Sequence, residues 1–138
     1  LNTGFGTGTF NGVKIFDGDL KDFELADYAV ATKTFQLTKG STNNSSAILY
    51  SIASAKGCDV TVISKSSSGK KSMAKYSVID DGTDIYFIEI GSLNTSADGF
   101  TTSFDITALN ETRISLTLSD DHSNGDVVSF TLVTQTIK

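Results

Sequence analysis

From Tyr28 to the end of the chain, apolar and polar residues alternate with a period of two. Ile114, Leu116 and Leu118 alternate with Arg113, Ser115 and Thr117, and Val128, Phe130 and Leu132 are separated by Ser129 and Thr131. Successive side chains of a strand point to opposite faces, so this pattern predicts strands with one face in a core and the other toward water. The spans 28–38, 47–54, 58–65, 71–80, 84–91, 100–108, 112–119 and 126–137 all read this way. Their Thr, Val, Ile, Phe and Tyr side chains suit a pleated, half-buried surface. The pattern puts Ile48, Tyr50 and Ile52 on one face, Ala74, Tyr76 and Val78 on another, and Phe100, Phe104 and Ile106 on a third. Only residues 20–27, LKDFELAD, carry helical spacing, through Leu20, Phe23 and Ala26 or Asp27, enough for one or two turns.

Turn residues separate the strands. Asp80-Asp81-Gly82 and Ser66-Ser67-Ser68-Gly69 predict tight hairpins with glycine in the left-handed region, and 94–99 and 120–125 predict longer polar turns. Many short strands with frequent turns and no crossover helices predict an all-β domain, an antiparallel β-sandwich or jelly-roll-like fold, with at most one short helix near 20–27. Residues 1–12, LNTGFGTGTFNG, contain Gly4, Gly6, Gly8 and Gly12 and read as an arm ahead of a single domain over 13–138. Leu1, Phe5 and Phe10 are large apolar residues on that arm, suited to docking on a neighbouring subunit or to strapping its own domain.

Composition narrows the function. With 138 residues, 38% hydrophobic and 20% charged, the chain has enough material for one real core. The net charge of −5 argues against a nucleic-acid partner, because its 11 basic residues are scattered apart from Lys65, Lys70 and Lys71 in a Ser/Gly loop. No apolar run approaches the roughly 20 residues that span a bilayer, so no membrane partner is expected. The sequence shows no basic n-region followed by an apolar h-region, so no signal peptide is expected. Proline is absent, which removes one device that keeps edge strands from pairing with other chains.

Few residues offer chemistry. Cys58 is the single cysteine, so no intrachain disulfide forms, and at the head of an apolar strand it reads as a small buried hydrophobe. His122, the single histidine, reads as an exposed turn residue, since no Gly-x-Ser-x-Gly elbow accompanies it. Its loop resembles the start of a calcium loop, but His stands at the third position and Thr131 at the twelfth. The metal reading therefore reduces to a looser calcium site from Asp120, Asp121 and Asp126, with Asp17, Asp19 and Asp22 as a second acidic group. Metal-free Asp-Gly turns are the ordinary explanation for both. The glycines of the arm lack the strand and helix that a phosphate loop needs. Asn43, Asn44, Asn94 and Asn110 begin short glycosylation sequons in turns. Glu89, inside Ile85-Tyr86-Phe87-Ile88-Glu89-Ile90, shares a face with Ile85 and Phe87. It is expected to pair with Arg113 or Lys75, or to face solvent or a neighbouring subunit. No catalytic residue and no cofactor is expected, and an enzyme is the least favoured class.

The order of pieces carries a resemblance. Ala74-Lys75-Tyr76-Ser77-Val78 leads to Asp81-Gly82-Thr83 and to Ile85-Tyr86-Phe87-Ile88-Glu89-Ile90-Gly91. Thr102-Ser103-Phe104-Asp105-Ile106, Arg113-Ile114-Ser115-Leu116-Thr117-Leu118 and Val128-Ser129-Phe130-Thr131-Leu132 follow. Over about residues 47–138 this resembles a β-rich module of marine and cyanobacterial phage virion proteins, including tail-fibre and neck components. The resemblance implies a structural role in the virion without catalysis, as a tail, fibre, neck or capsid-associated component. It implies homo-oligomeric assembly and contacts with other virion proteins, and it carries over no catalytic residue. The competing reading is a carbohydrate-binding or adhesin-type β-sandwich whose partner is a surface glycan. That reading would use Tyr28, Tyr50, Tyr76 and Tyr86 in place of the absent tryptophan.

Overall fold

The computed structural model describes residues 8–10, 13–15, 23–25 and 27–138. Eleven strands run through them: β1 Gly8–Phe10, β2 Val13–Ile15, β3 Phe23–Leu25, β4 Tyr28–Thr38, β5 Asn44–Ser51, β6 Gly57–Ser66, β7 Lys71–Asp80, β8 Ile85–Asn94, β9 Phe100–Ile106, β10 Glu111–Leu118 and β11 Val127–Ile137. They form a six-stranded sheet in the order β3-β4-β11-β6-β7-β8, a three-stranded sheet β5-β10-β9 and a β1-β2 hairpin. Every pairing is antiparallel. The two larger sheets share one core, making a β-sandwich as the alternation predicts.

The last strand of the chain lies in the middle of the large sheet. β11 pairs with β4 from Val127↔Thr38 to Ile137↔Tyr28, and on its other edge with β6 from Val128↔Ser66 to Ile137↔Gly57. Its inward residues Val128, Phe130 and Leu132 are fully buried against Val60 and Val62 of β6 and Ile114 and Leu116 of β10. The Phe130 ring stacks on Phe35 of β4, centroids 5.3 Å apart, and meets Phe100 of the opposite sheet edge-on at 5.4 Å. One side chain thus bonds its own sheet together and ties it to the facing one.

The hairpins form where glycine allows. Gly82 and Gly69 have φ near +90° in the β7–β8 and β6–β7 turns, a region that a Cβ would disfavour. In the β7–β8 turn, Asp80 Oδ1 accepts from the Gly82 N–H at 2.9 Å, and Asp81 Oδ1 accepts from the Thr83 and Asp84 N–H groups at 2.9 and 2.8 Å. These local bonds fix the hairpin before any partner strand arrives.

Two local expectations are corrected. Within the span expected to be helical, the described residues form a strand: Phe23–Leu25 pairs antiparallel with β4, from Phe23↔Val30 to Leu25↔Tyr28, and Asp27 lies in a turn. A hydrogen-bonded edge outweighs the marginal stability of an isolated two-turn helix. Ile48 and Tyr50 do not share a face. Thr112 pairs with Tyr50 but Arg113 pairs with Ile48, so Leu49 is an extra residue in a β-bulge. The bulge lets Leu49 and Tyr50 both enter the core while Ile48 lies beside Arg113.

Phe130→Ala is expected to lower unfolding free energy by about 3–5 kcal/mol in urea denaturation, because it leaves a cavity at the joint of both sheets. A loss below about 1 kcal/mol would show that Phe130 does not join them.

Candidate functional site

Two regions stand out: a buried ionic cluster at one end of the sandwich, and an exposed apolar face at the β8 edge. At the first, the loops 66–71, 94–99 and 119–126 converge. The Thr95 N–H bonds the Lys71 carbonyl at 2.9 Å, the Ser119 N–H bonds the Gly99 carbonyl at 2.9 Å, and the Ser67 N–H bonds the Val127 carbonyl at 2.8 Å. Beneath these bonds lie His122 at 6% exposure and Asp98 at 7%. His122 is therefore not the exposed turn residue that the sequence suggests, because its loop folds back over Gly99.

The geometry sets the tautomer. His122 Nε2 lies 3.0 Å from the Gly99 carbonyl oxygen, an acceptor, so Nε2 carries a proton. Nδ1 faces Asp126 Oδ2 at 3.5 Å, and this contact becomes an ion pair only when the imidazole holds a second proton. Neither ring nitrogen addresses a hydroxyl or thiol as a nucleophile-activating histidine must. Asp98 pairs with the Lys70 ammonium, and the Asp98 carboxylate raises the Lys70 pKa.

Asp98, His122 and Asp126 each offer one ligand atom, all within 4.8 Å of one another, a nitrogen-and-carboxylate set of the kind that binds transition metals. Lys70 already supplies a cation to Asp98, so the carboxylate is matched without a metal. The three calcium candidates go to separate partners. Asp120 is fully exposed with Lys39 Nζ at 3.3 Å, Asp121 accepts from Ser119 Oγ at 3.3 Å, and Asp126 turns to His122. Asp98 carried no sequence signal; it joins His122 only because two loops far apart in the chain meet. Asp17, Asp19, Asp22, Leu1 and Phe5 lie outside the described residues, and Phe10 ends β1.

The second region is the β7–β8 hairpin. β8 is an edge strand, and Tyr86, Phe87, Ile88, Ile90 and Leu93 on it are exposed, Leu93 by 72%. On the outer face the register sets Tyr86 beside Ile79 and Leu93 beside Met73, themselves exposed. Two shallow depressions flank them. One of about 280 Å³ is lined by Ser77, Ile79, Tyr86, Phe87 and Ile88. The other, of about 240 Å³, is lined by Met73, Lys75, Ile90, Gly91, Ser92 and Leu93. Gly91 leaves a gap there: a Cβ on it would meet nothing within 4 Å.

On its inner face β8 is held in place by Phe87, whose ring lies 4.7 Å from that of Phe104 on β9. Glu89, the single charged residue of the strand, pairs in register with Tyr76 and is exposed. Arg113 is taken by Asp105, which it holds below the usual carboxylate range. A bulge follows Glu89, since Gly91 is next to pair, with Lys75, and Ile90 is left over. Of the four tyrosines, Tyr50 and Tyr76 are buried, Tyr28 is half-buried, and Tyr86 alone is well exposed, with its hydroxyl donating to Asp81 Oδ2 at 2.9 Å.

No protein family and no curated protein matches this sequence. The structure is similar to the crystal structure of the Acinetobacter phage vB_ApiP_P1 tailspike protein, with a TM-score of 0.47 and 15% identity over 76% of this chain. The matched part spans 22% of that longer chain.

Lys70→Met is expected to lower the melting temperature more than Lys39→Met. The first leaves Asp98 buried without its cation, whereas the second strips a partner from a carboxylate already in water. Adding Asp98→Asn to Lys70→Met should recover part of the loss, and equal effects of the two single variants would count against the cluster. Alkaline stability supplies a second check. Burial pushes the Cys58 thiol up to about 11 and the Tyr50 phenol up to about 12. Both hold protons more tightly when folded, so their contribution is complete below the unfolded values of about 8.5 and 10. It is lost as pH rises through 11 and 12. Melting temperature should therefore fall between pH 9 and 11, with Cys58 unreactive to iodoacetamide below that range until the protein is unfolded.

Proposed function

We propose that this chain is a non-enzymatic structural component of a bacteriophage virion, a tail, fibre, neck or capsid-associated protein that works by assembling with copies of itself. The observation that carries the assembly reading is the outer face of the β7–β8 hairpin. Met73, Ile79, Tyr86, Ile88, Ile90 and Leu93 are all exposed there. Exposed apolar residues scattered singly are ordinary, whereas large apolar side chains clustered on one face mark an interaction site. A face of this kind on an unprotected edge is an aggregation liability in a free monomer and an asset in an assembly. The sequence resemblance over residues 47–138 supplies the virion setting.

The same reading gives residues 1–12 a role. Leu1, Phe5 and Phe10 dock on a neighbouring copy, each contributing about 1.5–3 kcal/mol if fully buried, against roughly 1–2 kcal/mol of backbone entropy for every residue ordered. Neighbours in the virion are further copies and other virion proteins.

Purified protein is expected to sediment as an oligomer, and mass spectrometry of the purified phage is expected to find it in many copies per particle. A monomer absent from particles would overturn the reading. Deleting residues 1–12 should reduce the order of assembly with the melting temperature kept; a collapsed melting temperature would place the arm in the core of its own domain.

A further inference from the structure

We infer that β8 is a self-pairing edge: two copies join β8 to β8, antiparallel, about a two-fold axis at Phe87, so that the large sheets of both copies become one. This rests on the assembly reading above and names its surface, partner and register.

The free backbone groups fix the phase. The Asp81 N–H bonds the Asp84 carbonyl at 3.1 Å, so this pair is hydrogen-bonded across the hairpin. Bonded and non-bonded pairs alternate along an antiparallel ladder. Asp80↔Ile85, Val78↔Phe87 and Tyr76↔Glu89 are therefore non-bonded pairs, while Ile79↔Tyr86 and Ser77↔Ile88 are bonded. The far end of the hairpin agrees: Lys71, in phase with Ser77 and Ile79 on β7, bonds toward Thr95 through its carbonyl at 2.9 Å. Ile85, Phe87 and Glu89 consequently aim their N–H and C=O groups away from β7, at the open edge. Another strand edge is the complement such a row requires.

The side chains select a second copy and a register. β8 between Ile85 and Glu89 has no lysine and no proline to block pairing. Setting Phe87 opposite its own copy aligns Ile85 with Glu89 of the second chain, so every free pair of this regular stretch is matched. Tyr86 then lies opposite Ile88 of the other chain on the outer face, an aromatic–β-branched pair of the kind that stabilises sheets. The Glu89 carboxylates face Ile85 and stay apart, whereas a shift that set Glu89 opposite itself would bring like charges together. The bulge at Ile90 ends the run.

Disulfide trapping tests the register, with the wild type, whose sole thiol is the buried Cys58, as control. Hydrogen-bonded antiparallel mates have Cα atoms about 5.5 Å apart, within disulfide reach. Phe87→Cys is expected to form a covalent dimer under mild oxidation, and Leu93→Cys, more exposed but off the axis, is not. Ile88→Lys, on the solvent side of the strand, is expected to weaken self-association at least tenfold in sedimentation while leaving the melting temperature of the monomer unchanged. If the protein is oligomeric, but Ile88→Lys leaves its mass unaltered and Phe87→Cys does not cross-link, the β8 pairing is wrong and the assembly reading stands. Cross-linking through Leu93→Cys instead would overturn the register. A wild type that remains monomeric at high concentration would overturn both. Loss of oligomer on deleting residues 1–12, with Ile88→Lys silent, would make the arm the occupant of this face.

Discussion

The structure depends on β11 reaching the centre of the large sheet. β4 and β6 are not neighbours; each bonds to β11. Without it the six-stranded sheet separates into a β3–β4 piece and a β6–β7–β8 piece. Phe130 adds the third dimension, with Phe35 stacked in the same sheet and Phe100 edge-on from the other. Most of the contacts that define this fold are therefore long in sequence, and loop closure must precede much of the stabilisation.

Against that late-closing centre, the β7–β8 hairpin is locally determined. Its turn is fixed by Asp80, Asp81 and Gly82, and Tyr50 of β5 anchors it by donating to Asp80 Oδ2 at 2.7 Å. The hairpin lies at the sheet edge farthest from β3, gripped on its inner face through Phe87 and Phe104 and bare on its outer one. A rigid, apolar, unpaired edge is a preorganised surface, since little entropy remains to be lost when a partner strand arrives. The ionic cluster is at the loop end bearing 94–99 and 119–126, away from the Asp80–Asp84 turn. It pins the loops together. Lys70 pairs with Asp98, and His122 bonds the Gly99 carbonyl with its other nitrogen facing Asp126, under backbone bonds between loops.

Much of the fold was legible because period-two patterning states which residues share a face. β4, β7 and β11 match the predicted strands to within a residue, and the Gly69 and Gly82 turns are where turn chemistry put them. The misreadings have a common cause. Phe23–Leu25 has helical spacing but takes the strand that β4 offers, and the bulge at Leu49 shifts every later residue of β5 by one face. Neither a pairing partner nor a bulge is written in a single segment.

The site shows the same division. Glu89 was recognisable as an acid set among apolar residues, but whether those residues were core or surface could not be read from them. Ile88 and Val62 are alike as β-branched strand residues; one is 65% exposed and the other fully buried. His122 looked like an exposed turn residue because its burial comes from Gly99 and Asp98, over 20 residues away. By itself the sequence determined the strands, their faces and their turns, because these follow from steric preferences and side-chain alternation within a few residues. Only the tertiary structure decided which strand lies at the centre, which edge stays open and which polar groups meet, because each is settled by competition among distant segments for the same hydrogen bonds and the same core.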